Sequence, residues 1–442
     1  MFKIALLLIG GKALRRQWWA LAVAGLALMG LALAVIVDLV DGATAIAIQA
    51  FGLVFVVEGL LSGIGIITSP SGAGRVVCAV KAVILLLLGG LILDTPLRNE
   101  AVLSWLFALA FGVDGLFRLG TLLLVRFQGW LLSVLVGVFE LVLAALIVAD
   151  WPLPHGSDIP LCISLLLLVA SANLMRIAFL LRSSSDEVAL LALPVFGARN
   201  WYDNAPVLFG EDDPGDIDAG VMTVRVWTPV GSAEVASRRY VVDRYFGTID
   251  VNGAFSTGHS ALECLPHVYI SHWPAQELDP QGRLVRAFRA GAENDIPGQF
   301  QPSYAAETAL WRVADKKVEF HHFNLRRLRA YWAGYRQEAT YNLTNRNCSV
   351  AVAAGLDAAL EGVLQTRFPW LRLFLLLLNP DVWAAGYIRS QAQTMCWTPG
   401  MVLDYALALR RIVDKGRTPW PVRAMDFFRR IRAARTVSTS LP

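Results

Sequence analysis

The hydrophobic pattern of the chain changes abruptly near Arg182. Before that residue the sequence consists of long apolar runs, and after it apolar and polar residues alternate over short distances. A helix needs about 20 apolar residues to cross the roughly 30 Å hydrocarbon core of a bilayer. Six runs reach this length, near residues 18–37, 44–67, 76–93, 101–123, 130–149 and 159–181. The pattern therefore predicts a six-helix transmembrane domain over residues 1–182.

The six predicted spans form three hairpins that repeat about every 56 residues, with Asp38, Asp94 and Asp150 each closing the first helix of a pair. Five polar side chains lie within the spans, namely Glu58, Lys81, Asp114, Glu140 and Asn173. Charged groups in hydrocarbon usually face a partner or water. They could form an ion or proton path, or they could join helices, with Lys81 paired to a carboxylate. One lysine among several carboxylates falls short of a relay, so the pattern favours helix contacts.

Charge sets the predicted orientation of these spans. If the N-terminus is inside, nine Lys or Arg residues fall on the inner side and only Arg98 on the outer side. Positive residues accumulate on the cytoplasmic side of membrane proteins, so the part of the chain after Arg182 is predicted to be cytoplasmic. The five cysteines form no CxxC pair, and two of them lie in predicted spans. We therefore expect no disulfides, no zinc site and no cofactor.

The repeat resembles a known family of membrane proteins. Glu58-Gly59-Leu60 aligns with Asp114-Gly115-Leu116, so an acidic residue followed by glycine recurs in the second helix of a pair. Six spans in three hairpins with this pattern resemble the HdeD family of bacterial acid-resistance proteins over about residues 15–182. The resemblance implies a bacterial inner-membrane protein linked to stress tolerance, and it implies no chemistry. Because that family normally ends near its sixth helix, residues 183–442 are expected to carry the distinguishing function.

The second half of the sequence reads as a soluble domain. Residues 183–220 begin with serines and turn acidic with Gly and Pro, which predicts a linker. Strand-like runs occur at 221–227, 239–246, 259–264 and 268–272, and helical patterns follow at 325–336 and 349–361. Strands followed by helices predict an α+β domain, placed here at residues 221–400, with a basic tail at 401–442.

Two histidines lie on adjoining predicted strands. A hairpin centred on Leu265-Pro266 would place His259 directly opposite His272, and opposed residues share one face of a sheet. Leu-Pro is not a favoured two-residue turn, however, and a slip of one residue would turn one histidine away.

Cys348 is predicted to open a helix, because the polar stretch ending at Asn347 gives way there to an apolar run. The helix dipole and the unpaired N–H groups of a first turn favour a thiolate. A neighbouring histidine would act as general base and a second polar group would orient it. The predicted roles are therefore Cys348 as nucleophile, His259 as base and His272 as orienting partner. Cys264 and the pair His321-His322 are competing candidates without an assignable role.

A histidine strand, a second histidine about a dozen residues later, and Asn-Cys opening a helix resemble the circularly permuted NlpC-type papain-like hydrolases. This group includes lecithin:retinol acyltransferase-like enzymes and bacterial peptidase-like proteins. The resemblance covers roughly residues 220–365 and assigns Cys348, His259 and His272 the same three roles. It implies hydrolysis or transfer at an amide or ester of a peptide or lipid. Ser349-Val350 departs from the residues that acyltransferase-like members prefer after the cysteine, so the lipid branch is not fixed.

Two other segments of the sequence indicate possible contacts with the membrane. Between Arg410 and Arg435, nine basic residues alternate with aromatic ones, which suits either anionic lipid head groups or a solvated surface helix, and nucleic acid is not expected. The apolar run 368–378 is too short to span and could lie in the membrane interface, although the pattern favours a core helix. A binding-only stress or scaffold protein and an ion conduit are the alternatives to an enzyme, and a homo-oligomer is left open.

Overall fold

A computed structural model describes the chain in several stretches. These are residues 1–41, single helical positions and short helical pieces between 53 and 93, and residues 100–124, 130–151, 155–185, 188–193, 196, 220–229, 248–249, 255–276, 292–394 and 396–414. Most of the predicted span 44–67 and nearly half of the span 76–93 lie outside the described residues, and so do Glu58 and Lys81. The same holds for the predicted strand 239–246 and for the tail after Asp414.

The N-terminal part is helical. Its described helices are α1 (Phe2–Ile9), α2 (Gly11–Arg16), α3 (Trp18–Asp41), α4 (Glu100–Leu124), α5 (Trp130–Val148) and α6 (His155–Ser183). Helices α3 to α6 lie at the first, fourth, fifth and sixth predicted spans. Two segments of the described chain, Trp18–Val37 and Pro160–Ser183, are long and apolar enough to cross a membrane.

Small residues let these helices approach each other closely. The Ser171 hydroxyl of α6 donates to the Gly25 carbonyl of α3 at 2.7 Å, and a β-carbon at Gly25 would lie 3.0 Å from Met175. Glycines of α4 and α5 meet in the same way, at Gly115 and Gly137. Large apolar side chains such as Leu109 and Leu135 are exposed on the outer surfaces of these helices. Helices that are apolar on their exposed sides suit a lipid environment and indicate membrane association.

A charged cluster joins α4 to α5. The Arg118 guanidinium donates to Asp114 at 2.7 Å and to Glu140 at 3.1 Å. Arg118 is one of the nine basic residues that the sequence analysis assigned to the inner side, but it lies inside α4, where it neutralises two of the predicted embedded carboxylates. Asn173 is exposed on α6. Paired charges of this kind match the helix-contact interpretation better than a chain of proton carriers.

The second half is an α+β region, as the sequence predicts. Its strands are β1 (Met222–Trp227), β2 (Thr248–Ile249), β3 (Phe255–Ser256), β4 (His259–Cys264), β5 (Val268–Ile270), β6 (His272–Pro274), β7 (Ile296–Phe300), β8 (Lys316–Phe320) and β9 (Thr340–Tyr341). Its helices are α7 (Tyr304–Leu310), α8 (Leu325–Tyr335), α9 (Cys348–Leu360), α10 (Pro369–Leu377), α11 (Pro380–Thr394) and α12 (Pro399–Val413). The main antiparallel sheet has the order β5-β4-β1-β8, and a second sheet has the order β6-β7-β9.

Helices α9 and α12 pack against the main sheet. Gly355 of α9 lets Ile270 and Leu262 approach its backbone, so the helix lies directly on β4 and β5. Helix α12 is capped by Thr398, and its Tyr405 and Leu409 side chains are buried in the core. The predicted boundary between domain and tail at residue 400 therefore falls inside a core helix. The basic residues from Arg410 onwards were interpreted as a tail, although Arg410 and Arg411 lie in the last turn of α12.

The predicted linker also contributes to the core. Leu190 and Phe196 are buried there. The Leu190 N–H donates to the buried Glu361 carboxylate at 3.0 Å, and Arg389 donates to the Phe196 carbonyl at 2.7 Å. The described parts of 183–220 are thus fixed onto the α+β region.

Helix α1 belongs to the same core although it opens the chain. Its residues from Ile4 to Ile9 are at most 1% exposed. The carbonyls of Leu7 and Leu8 accept hydrogen bonds from the backbone N–H groups of Gly362 and Leu364, at 3.0 and 2.8 Å. With eight residues, α1 is too short to span a bilayer. Its apolar character is explained by burial among α9, α10 and α11.

Candidate functional site

The predicted helix start at Cys348 is confirmed. Asn347 caps α9 by accepting a hydrogen bond from the Val350 N–H at 2.8 Å, and Cys348 is the first helical residue. The Asn347 amide also donates to the carbonyls of Leu343 and Trp397, at 2.6 and 3.2 Å. These contacts fix the thiol, which is only 7% exposed, at the positive end of the helix dipole.

The loop before Cys348 is held by Arg346. This buried guanidinium donates to the carbonyls of Thr340 and Tyr335, each at 2.9 Å, and lies over the Tyr335 ring. Because several backbone acceptors share one planar donor group, the loop has little freedom to move the thiol.

The predicted hairpin register was wrong by one residue. Strand β4 pairs Cys264 with Val268, whereas a centre at Leu265-Pro266 would have paired it with His267. The turn contains three residues rather than two, closed by the His267 N–H donating to the Cys264 carbonyl at 2.9 Å. A shift of one residue turns side chains to the opposite face, so His272 does not stand across from His259.

His272 is consequently not the orienting partner predicted from the sequence. It starts β6 opposite Phe300, its Nδ1 lies 3.0 Å from the Tyr335 hydroxyl, and its Nε2 lies 3.3 Å from the Ala339 carbonyl. Burial and the nearby Arg346 charge lower the pKa of His272 to about 4, against the opposing hydrogen bond with Ala339. A neutral histidine with these neighbours is a structural group that fixes β6 to the loop after α8.

The residue that does orient His259 is Glu307, which sequence reasoning missed. Its Oε1 lies 3.1 Å from Nε2 of His259, and Ser271 Oγ lies 2.9 Å from the same nitrogen. Glu307 is 1% exposed and stands on α7, whose start is capped by Ser303. The sequence offered only a short helix with a capping serine and one carboxylate, in a segment that carried no diagnostic motif.

Other donors surround the Glu307 carboxylate. Trp273 Nε1 donates to Oε1 at 2.7 Å, the Ser271 hydroxyl donates to Oε1 at 3.1 Å, and the Tyr269 hydroxyl donates to Oε2. Burial alone would raise the pKa of Glu307, but the hydrogen bonds and the charge of His259 outweigh it, and the net shift is downward. Glu307 is therefore a carboxylate beside His259.

The side chains of Cys348 and His259 are hydrogen-bonded to each other. Burial would raise the pKa of the Cys348 thiol, but the charge and hydrogen bond of His259 and the Ser260 N–H lower it overall. Burial would lower the pKa of His259, yet the Cys348 thiolate and Glu307 raise it to about 9. Both pKa shifts favour a thiolate beside an imidazolium.

Aromatic rings enclose the imidazole of His259. Trp273 and Trp227 lie with ring centroids 4.9 and 5.3 Å from it, and Trp311 lies 6.4 Å away. Trp227 is buried, whereas Trp311 is 39% exposed. The indoles keep water from most of the imidazole, and Trp311 marks the side on which the site reaches solvent.

The competing candidates lie elsewhere or lack activation. Cys264 is buried in β4, and burial raises the pKa of its thiol. Cys396 contacts Asn347, but burial raises its pKa to about 12. His322 is exposed and pairs with Asp414 at the end of α12, at 2.8 Å. Within the described part of the chain, no group of three or more His, Cys, Asp or Glu side chains is arranged to hold a metal ion.

Comparisons with family models, with curated proteins and with solved structures found no match for this chain. The resemblances to the HdeD family and to permuted NlpC-type hydrolases therefore stay predictions. What the site around Cys348 can do chemically follows from the residues that form it.

Proposed function

We propose that the chain is a membrane-anchored thiol hydrolase or acyltransferase that acts on an amide or ester. One observation carries the proposal: the Cys348 thiol at a helix start contacts His259, and His259 in turn contacts the buried Glu307 carboxylate. A nucleophile, a base and a group that orients the base are the three parts that thiol catalysis needs. Glu307 takes the orienting role that the sequence had given to His272.

The proposed reaction has two halves. The Cys348 thiolate attacks the acyl carbon, and a C–S bond forms while the C–N or C–O bond breaks. The His259 imidazolium gives its proton to the leaving amine or alcohol. Water or an acceptor alcohol or amine then attacks the thioester, His259 takes the proton of the attacking group, and the thiolate leaves.

The start of α9 provides backbone N–H groups that stabilise the transition state. The N–H groups of Cys348 and Ser349 have no acceptor inside the helix, whereas the Val350 N–H donates to the Asn347 cap. Such groups stabilise the oxyanion that develops on the acyl oxygen. Glu307 holds the imidazole ring in place and favours its protonated form, so that thiolate and imidazolium coexist before the substrate binds.

The location proposed for this activity is a bacterial inner membrane, with several spans and with the α+β region in the cytoplasm. Two apolar segments long enough to span and the excess of inner-side Lys and Arg support it. Cytoplasmic reducing conditions would also keep the Cys348 thiol available. Both peptide and lipid acyl groups fit the chemistry, and the resemblance to the HdeD family suggests a role in stress tolerance.

Acylation of Cys348 tests the proposal. The full-length chain in lipid nanodiscs would be mixed with an excess of a water-soluble p-nitrophenyl ester, and a burst of one nitrophenolate per chain is expected. Intact-mass and peptide mass spectrometry should locate the acyl group on Cys348. Cys348→Ser should abolish the burst, whereas Cys396→Ser should retain it. Failure of the native chain to form any acyl adduct would leave a binding-only domain as the better account.

A further inference from the structure

Helix α10 has two apolar faces with different surroundings. Pro369, Leu373 and Leu376 are buried against the rest of the α+β region. The opposite face carries exposed large apolar residues, namely Phe368 64%, Leu371 59%, Phe374 59%, Leu375 50% and Leu378 45%. Their spacing of three and four residues places them on one side of the helix. The interpretation of 368–378 as a core helix is thus correct for one face only.

Helix α10 is linked to the base of the first candidate span through α1. Helix α10 packs on α1, and the loop that leads into it is hydrogen-bonded to the last turn of α1. Only residues 10–17 separate α1 from the span that begins at Trp18. The Arg182 guanidinium at the end of α6 lies 4.7 Å from the centre of the Trp18 ring. Trp and Arg at the ends of two apolar spans mark the level where hydrocarbon meets head groups.

The connection to α11 keeps α10 on one side of the bilayer. The two helices together are apolar and long enough for a span, but they are bent by 80°. After the bend, Val382, Ala385 and Arg389 of α11 are buried in the core of the α+β region. A segment whose second half is fixed in that core does not continue through the membrane as one straight span.

We propose that the exposed face of α10 is inserted into the interfacial layer of the bilayer that α3 and α6 cross. The occupant is lipid acyl chain, because α10 packs on α1, α1 is followed after eight residues by α3, and apolar side chains of α3 are exposed. Arg367 lies at the start of the helix with its guanidinium 5.9 Å from the centre of the Phe368 ring, where it can reach lipid phosphate. This inference rests on the membrane location proposed above and does not depend on Cys348 chemistry.

Photolabelling from within the bilayer tests this inference on the unmodified chain. Full-length protein would be reconstituted in vesicles of phosphatidylcholine and phosphatidylglycerol that include a lipid with a diazirine near the head-group end of its acyl chain. Labelled peptides would be quantified by mass spectrometry. Leu310 and Val313 provide a matched control, since they are exposed apolar residues of the same region but are not part of the α10 face.

We expect label on Phe368–Leu378 at a yield comparable with that on α3, and background label on the control segment. Background label on α10, whether because solvent or a second protein copy covers it, would overturn the inference. Equal label on α10 and on the control would also overturn it, because the label would then report exposure alone. Absence of label from α3 would refute the membrane location itself. Cys348 acylation by the soluble ester is an independent readout, so failure of either proposal can be recognised separately.

Discussion

Nε2 of His259 lies 3.1 Å from Oε1 of Glu307. This contact links β4 of the main sheet to helix α7, which follows it in the chain. The carboxylate is buried and held by three further donors. This relationship determines which ring orientation and which protonation state His259 presents to Cys348.

Glu307→Gln should reduce the rate of Cys348 acylation by about 10²–10⁴-fold, the range associated with loss of effective general acid–base catalysis. The amide keeps the size of the side chain but removes the negative charge that raises the His259 pKa. The rate would be followed with the p-nitrophenyl ester. Circular dichroism of the variant would verify that the fold is retained. A rate equal to that of the native chain would remove Glu307 from the proposed site.

His272→Gln should leave the acylation rate within about threefold of native, since His272 faces Tyr335 and Ala339 rather than His259. It should lower the free energy of unfolding by about 1–3 kcal/mol, because buried partners lose a hydrogen bond. The two effects would be measured by ester kinetics and denaturant unfolding. His259→Gln is the matched variant and should abolish acylation. A large loss of rate in His272→Gln would restore the role predicted from the sequence.

The pH dependence of acylation should be bell-shaped. The pKa of His259 is raised, so its contribution is complete below the ordinary histidine value and is lost as pH rises through about 9. The pKa of Cys348 is lowered, so its contribution is complete above the ordinary thiol value and is lost as pH falls through the lowered one. The thiolate–imidazolium pair exists between these two limits. Values of kcat/KM across pH should therefore decline on the alkaline side near 9, and a rate that keeps rising above that pH would contradict the ion pair.

Leu7→Ala in α1 should destabilise the α+β region by about 2–5 kcal/mol, as expected for a leucine deleted from a closed core. Leu7 is 1% exposed and lies among helices far along the chain. Leu31→Ala is the control, because Leu31 is exposed on α3 and should change stability by less than about 1 kcal/mol. Thermal unfolding in the same detergent would compare the two. Equal effects would mean that α1 is not an integral part of this core.

Local signals predicted part of the site. Asn347 and Cys348 were predictable as a helix start, because a polar stretch ending in a good capping residue precedes an apolar run. His259 was placed on a strand by the same kind of pattern, and β4 has the predicted limits. Such features depend on neighbours in the sequence, and for that reason they could be derived without the fold.

The remaining features depend on contacts between distant segments. Glu307 reaches His259 only because α7 packs beside β4, and no spacing rule connects them. His272 was misplaced because one extra residue in the turn inverts every side chain that follows. The apolar segment of α1 does not show by itself whether it will be buried by protein or by lipid, since both environments select the same residues.

The most direct test of the central claim is the pH dependence of Cys348 alkylation by iodoacetamide, in full-length chain with Cys264 and Cys396 replaced by serine. We predict that the rate titrates well below the free-thiol value of about 8.5 and returns towards it in His259→Ala. An ordinary thiol pKa in both backgrounds would show that His259 does not activate Cys348, and the proposed catalytic role would be contradicted.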